Sequence, residues 1–236
     1  MAASNAMALT PELVALCERV VADPGPEPGL VELTKDEIDA AAARFDAECG
    51  AEPLWVFAYG SLIWKPVFDA VEARRATAYG WHRSFCMDMR RWRGSDEQPG
   101  LMMAIIRGGI CHGVAFRLPD ENRRQLLFDM IWRETSYPED MASIRWLHAA
   151  SDEGRFKALA FWAGPKGSFI LDRLPLEEAA RRIARACGHI GSNAAYLYNT
   201  VAKLGEFGIR DRNLWRLQEL VAAEICGMTL KSRTVG

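Results

Sequence analysis

No run of about 18 apolar residues occurs in this sequence, so nothing in it reads as a membrane-spanning helix. No basic stretch followed by an apolar one opens the chain, so no secretory leader is expected. The six cysteines, Cys17, Cys49, Cys86, Cys111, Cys187 and Cys226, are scattered and contain no C-x-x-C pair. That argues against a disulfide scaffold and for free thiols, with the cytoplasm as the expected compartment. A zinc site would have to draw on Cys86, Cys111, His82 and His112, and no second ligand pair follows at finger-like spacing. No metal is therefore expected. No G-x-G-x-x-G follows a strand-like run and no P-loop pattern exists, which removes the main support for a nucleotide cofactor; none is expected. Net charge is also small, at −2, which argues against a bulk binder of nucleic acid or membrane. Lysine is scarce, since 23 of the 29 basic residues are arginine. Arginine forks onto carboxylates and phosphates, where lysine is a point charge.

What remains is a chain of 236 residues, 50% apolar, long enough to bury one substantial core. Met1 to Ala6 read as a tag and are set aside. Residues 7–50 read as a helical extension, 51–226 as the main domain and 227–236 as a tail. In the extension, Thr10-Pro11-Glu12 reads as the start of a helix with Leu13, Leu16, Val20 and Val21 as its apolar stripe. Asp23 to Gly29 holds three prolines and reads as a linker. Thr34 to Glu37 is a capping-box pattern opening a helix with Ile38, Ala41, Ala42, Phe45 and Cys49 on one face and Gly50 at its end. The two helices are too small for a domain and are expected to pack onto something else.

From Leu54 the pattern changes to strands. Leu54 to Tyr59 is a buried strand running into Gly60-Ser61. Leu101 to Ile106 and Ile110 to Phe116 are two more, read as a hairpin turning at Gly108-Gly109. The segment from Arg74 to Arg93 looks poor in strand. Ile144 to His148 and Ala158 to Trp162 are further strands. Helices are expected from Pro119 to about Arg133, from Pro175 to Gly188, from Ser192 to Gly205 and from Asp211 to Ile225. No regular β-α-β alternation appears, which favours an α+β fold with a small mixed or barrel-like sheet.

Glu134 is the residue that most needs an explanation. Seven residues beyond Leu127, four beyond Met130 and three beyond Ile131, it falls on the apolar stripe at the end of a helix. Desolvation there raises a carboxyl pKa toward neutrality, as a general acid/base requires, and a helix C-terminus pushes the same way. The plain alternative is an ion pair with Arg133. The loop Tyr59-Gly60-Ser61-Leu62 follows a buried strand, and its backbone N–H groups suit an anion or an oxyanion; a simple turn explains it equally well. Ser61 lacks the G-x-S-x-G setting of a nucleophile. Gly191-Ser192-Asn193 reads either as a carboxylate-facing helix start or as a structural cap. Arg74, Arg75, Arg83, Arg90, Arg91 and Arg93 form either a solvated face or a carboxylate-reading patch, with RNA stacked on Trp92 as a remote reading.

Val56 to Pro66, VFAYGSLIWKP, resembles the signature opening of the ChaC-type γ-glutamylcyclotransferases. The similarity continues through Gly80 to Cys86, Arg93 to Ser95, Gln98 to Gly100, Gly113 to Pro119, Arg133-Glu134 and Gly191 to Leu197, covering about residues 54 to 220. It departs at Ala58, where the family often has glycine. The resemblance implies a γ-glutamylcyclotransferase-like fold, a small mixed β-barrel flanked by helices. It also implies an activity: ring closure of a γ-glutamyl group, usually that of glutathione, to 5-oxoproline with release of Cys-Gly. On this reading Glu134 is the acid/base, Tyr59, Gly60, Ser61 and Leu62 hold the γ-glutamyl group, and Tyr137 and Tyr196 line the pocket. The expected partner is a small-molecule substrate, with neither nucleic acid nor membrane. Two alternatives stay open: a cyclotransferase for other γ-glutamyl amides or dipeptides, and a non-catalytic γ-glutamyl-binding protein.

Overall fold

The structure, a computed structural model, describes residues 6–165, 170–171 and 174–234. Residues 1–5 of the expected tag and 235–236 of the expected tail lie outside the described residues. The chain divides into two compact units, each discontinuous in sequence. One is built from residues 26–84 and 104–167, the other from 1–25, 85–103 and 168–236. One boundary falls inside the proline-rich stretch Asp23 to Gly29.

The first of these, the barrel unit, opens with helix α2, Lys35–Cys49, the second of the chain. Its capping box is present, with the Thr34 side chain accepting from the Glu37 N–H and Glu37 reaching back to the Thr34 N–H. Its buried face is Ile38, Ala41, Ala42, Phe45 and Cys49, as the 3.6-residue spacing predicts. That face packs on α4, Arg123–Glu134. Arg123 ties the pair together, its guanidinium 2.6 Å from the Asp46 carboxylate.

Strands β1 (Trp55–Ala58), β2 (Glu72–Met89), β3 (Gly100–Arg117), β4 (Ile144–Ser151) and β5 (Gly154–Phe161) close a barrel in the order β1-β3-β2-β4-β5. The β1–β5 seam is parallel, while β1–β3, β2–β4 and β4–β5 are antiparallel. Alternation sends Trp55 and Phe57 of β1 into a core with Trp81, Ile105, Ala149, Ala158 and Ala160, and Tyr59 packs against the same cluster. Gly113 is required where β3 crosses β1, because a Cβ there would lie 2.5 Å from the Ala58 carbonyl oxygen.

Two expectations fail here. β2 occupies the stretch read as poor in strand, because half-buried Arg74 and buried Arg83 stand on its inward face and mask the apolar period. β3 is one continuous strand rather than a hairpin. Gly108 and Gly109 both have positive φ (101° and 76°) but bend the strand without reversing it, and the His82 ring nitrogen Nδ1 lies 2.8 Å from the Gly108 carbonyl oxygen.

The second unit is helical. Helix α1 is only Pro11–Ala15, capped by Thr10. The predicted stripe beyond it is overturned: with the helix ended, Leu16 and Val20 are exposed, and Val14 and Cys17 are the buried residues. Helices α5 (Leu176–Arg185), α6 (Asn193–Glu206) and α7 (Arg212–Thr234) follow, with the two-residue strands β6 (Cys187–Gly188) and β7 (Gly191–Ser192) paired between α5 and α6. α7 continues nine residues past the expected end at Ile225.

Candidate active site

Helix α4 ends on Glu134. The helix buries Leu127, Met130 and Ile131, and Thr135 terminates it in extended conformation while its hydroxyl donates to the Ile131 carbonyl (2.7 Å). The Glu134 side chain therefore leaves the apolar face at the last turn, with 19% of its surface exposed. Burial raises its carboxyl above the ordinary glutamate range, and the neighbouring Arg133 guanidinium, 3.3 Å away, opposes the shift. The ion pair and the raised carboxyl thus coexist. Arg133 also donates to the Lys65 carbonyl, so Glu134 is tethered beside the end of α3, the short helix Ser61–Trp64.

The Y-G-S-L segment runs into that short helix, which begins at Ser61. Tyr59 follows β1 and packs against the barrel core, Gly60 turns the chain, and Leu62 and Ile63 are buried. No side chain caps the turn at Gly60. Arg83, only 5% exposed, fixes the loop from below: its Nε donates to the Tyr59 carbonyl (2.8 Å) and its guanidinium also donates to the His112 carbonyl. Sequence reading missed this role. The signal was present in β2, where Trp81, Arg83 and Phe85 alternate as buried positions.

Tyr137 follows Glu134 in the same unit. The Asp140 carboxylate accepts from the N–H groups of Ser136 (2.8 Å) and Tyr137 (2.9 Å), and the Tyr137 hydroxyl accepts from the Glu27 N–H (3.0 Å).

Tyr196 belongs to the helical unit. It is buried edge-on against Phe85 (ring centroids 5.8 Å apart), with the Arg93 guanidinium 5.6 Å from its ring centroid. The start of α6 is a structural cap: Ser192 Oγ accepts from the Ala195 N–H and donates to the Glu18 carboxylate (2.7 Å), which also accepts from the Ser192 N–H. The chain's own acid occupies the position considered for a ligand carboxylate. Asn193 exchanges two 2.8 Å bonds with the backbone of Leu101.

Three of the six arginines of the patch are ion-paired within the chain. Arg74 pairs with Glu72 and Glu153, Arg90 with Asp88, and Arg91 with Asp23, whose carboxyl the Arg91 hydrogen bond lowers to about 2. The four residues weighed for zinc do not assemble: Cys111 is a barrel-core residue, while the exposed His112 bonds to Thr77. Among the described residues no cluster of His, Cys, Asp or Glu is placed to hold a metal ion.

Known proteins resemble this chain over most of its length. The ChaC-like protein family matches residues 54–224. The chain is 35% identical over 163 residues to the glutathione-specific gamma-glutamylcyclotransferase of Escherichia coli K12, covering 69% of this chain and 70% of that one. It is 31% identical over 170 residues to the human glutathione-specific gamma-glutamylcyclotransferase 1, covering 66% and 72%. A crystal structure of the yeast gamma-glutamyl cyclotransferase specific to glutathione superposes with a TM-score of 0.64 at 18% identity, over 72% of this chain and 96% of that one. That likeness bears on the fold.

Proposed function

This chain belongs to the ChaC-like family, and we propose that it cleaves glutathione by intramolecular cyclisation to 5-oxoproline and Cys-Gly, with Glu134 as its acid/base. The observation that carries the assignment of Glu134 is its placement: a carboxyl raised by burial, tethered through Arg133 to the segment that follows Y-G-S-L.

The chemistry asks little of the protein beyond positioning and one proton carrier. The substrate's α-amine attacks its own γ-carbonyl carbon, forming the ring C–N bond. The tetrahedral intermediate then breaks the original amide C–N bond and expels the amine of Cys-Gly. Glu134 takes the proton lost by the attacking amine and returns it to the departing one, which suits a carboxyl titrating nearer neutrality. Backbone N–H groups of the Gly60 to Leu62 turn hold the developing oxyanion, a contact type worth about 3–4 kcal/mol. Arg83 keeps that turn in place through Tyr59. Of the two tyrosines that the resemblance assigns to the γ-glutamyl group, Tyr137 lies in the same unit as Glu134. The six cysteines form no disulfide among the described residues and five of them are buried, which suits a reducing compartment, and we place the reaction in the cytoplasm. No described helix is long and apolar enough to cross a membrane.

Incubation of the protein with glutathione, followed by quantification of 5-oxoproline, Cys-Gly and free glutamate, tests the assignment. Equimolar 5-oxoproline and Cys-Gly without glutamate is expected. Glutamate release would mean hydrolysis, and absence of products would remove the activity.

A further inference from the structure

Most arginines near the barrel are committed to the chain's own acids or carbonyls, as Arg74, Arg83, Arg123 and Arg133 illustrate. Arg107 and Arg145 are not. Among the described residues neither side chain has an acidic partner or a hydrogen bond, and Arg145 Nε is buried without a partner. Both guanidinium groups are held instead over the same two rings. Arg107 lies 5.4 Å from the Trp81 centroid and 5.7 Å from that of Trp162; Arg145 lies 4.9 and 5.4 Å from them. The two rings meet edge to face at 5.7 Å.

The topology puts this cluster beside the Y-G-S-L loop. β1 and β5 run parallel, with Val56 opposite Leu159, so Tyr59 and Trp162 leave their strands at the same barrel mouth. Arg145 pairs with Ala160 on the antiparallel β4, which places it at that mouth too. β3 runs against β1, with Val114 opposite Ala58, so Arg107 lies toward the same end. Trp81 precedes Arg83, the Tyr59 clamp, by two residues on the same face of β2.

Two cations gathered over one pair of rings repel each other, and ring contacts offset this only in part. A planar anion that accepts from both forks completes the arrangement. We propose that Arg107 and Arg145, braced by Trp81 and Trp162, form the subsite for the C-terminal carboxylate of the peptide that departs. This deepens the cyclotransferase reading and rests on it. The choice of carboxylate follows from exposure: Arg107 faces solvent, whereas Glu134, the acid/base of the proposed cyclisation, keeps only 19% of its side chain exposed.

Calorimetric titration of the full chain carrying Glu134→Gln, with glutathione and with glutathione amidated at its C-terminal carboxyl, tests this without turnover. Loss of a bidentate charge-assisted contact corresponds to about tenfold or more in affinity, so the amide is expected to bind at least that much more weakly. Adding Arg107→Gln or Arg145→Gln reduces the preference, and both together bring it close to unity. Arg107 is exposed, so its replacement stays readable should Arg145→Gln fail to fold. Equal binding of acid and amide with both arginines present overturns the subsite, as does a preference that survives both replacements. An equal loss of affinity for acid and amide overturns it too, by moving the arginines to the cyclising end. Failure to bind either ligand also removes the subsite; 5-oxoproline release by the unsubstituted chain then judges the cyclotransferase reading separately.

Discussion

The two units treat their polar side chains differently. In the helical unit they are mostly spent on the chain itself. Glu18 caps Ser192, Asn193 grips the backbone of Leu101, and Arg182 lies against Asp88 at 2.5 Å. In the barrel unit the notable groups are under-committed. Glu134 keeps one guanidinium beside a carboxyl that burial raises, and Arg107 and Arg145 have rings where an acid would be expected. A satisfied polar group stabilises a fold, whereas a poised one is available for chemistry. Substitutions in the two units should therefore fail in different ways.

The largest effect is expected at Glu134. Glu134→Gln should lower kcat for 5-oxoproline release by on the order of a thousandfold, the scale of a lost acid/base. Its thermal midpoint should not fall at pH 8. A raised folded-state pKa contributes stability below the unfolded pKa and loses it as pH rises through the folded one. The glutamine has no such loss, so its midpoint relative to the parent should improve from acid to alkaline pH. A parallel pair of melting curves across pH would deny the raised carboxyl.

Arg83→Met comes next and should do both kinds of damage. It strands the Tyr59 and His112 carbonyls at a cost of about 1–3 kcal/mol each if water cannot reach them. Release of the loop should also lower kcat by about a hundredfold, the cost of a misplacement of roughly 1 Å. Denaturant unfolding and steady-state assays on the same preparation separate the two effects. A stability loss with kcat intact would break the link between Arg83 and the loop.

Asn193→Ala, in the helical unit, should destabilise by about 2–3 kcal/mol through two lost buried hydrogen bonds. Chemical denaturation reads that directly. The smallest effect is expected at Glu18→Gln, about 1 kcal/mol for weakening a charge-assisted cap, visible as a small drop in thermal midpoint. A larger effect on turnover than on stability at either position would erase the contrast between the units.

The sequence carried some of this plainly and some not at all. The buried face of α2 and the projection of Glu134 from α4 follow from helical spacing, because both lie on helices that run to their predicted ends. The stripe after Thr10 misleads because α1 stops at Ala15, so side chains spaced for a helix have no helix to line. β2 hides because Arg74 and Arg83 reach back over rings and carbonyls from positions where a strand shows apolar residues. Gly108-Gly109 has the composition of a tight turn, and only the partner strands decide that it bends rather than reverses. The subsite at Arg107 and Arg145 had no linear signal. It is defined by the acids that are not near them, which is a property of the folded chain.

The central claim is that the raised carboxyl of Glu134 performs the proton transfers. The pH profile of kcat/KM with glutathione tests it most directly, since it reports the ionisations of the free enzyme. The account predicts activity falling on the acid side through an ionisation well above the ordinary glutamate value of about 4.3. A profile that stays flat down to that pH would contradict it.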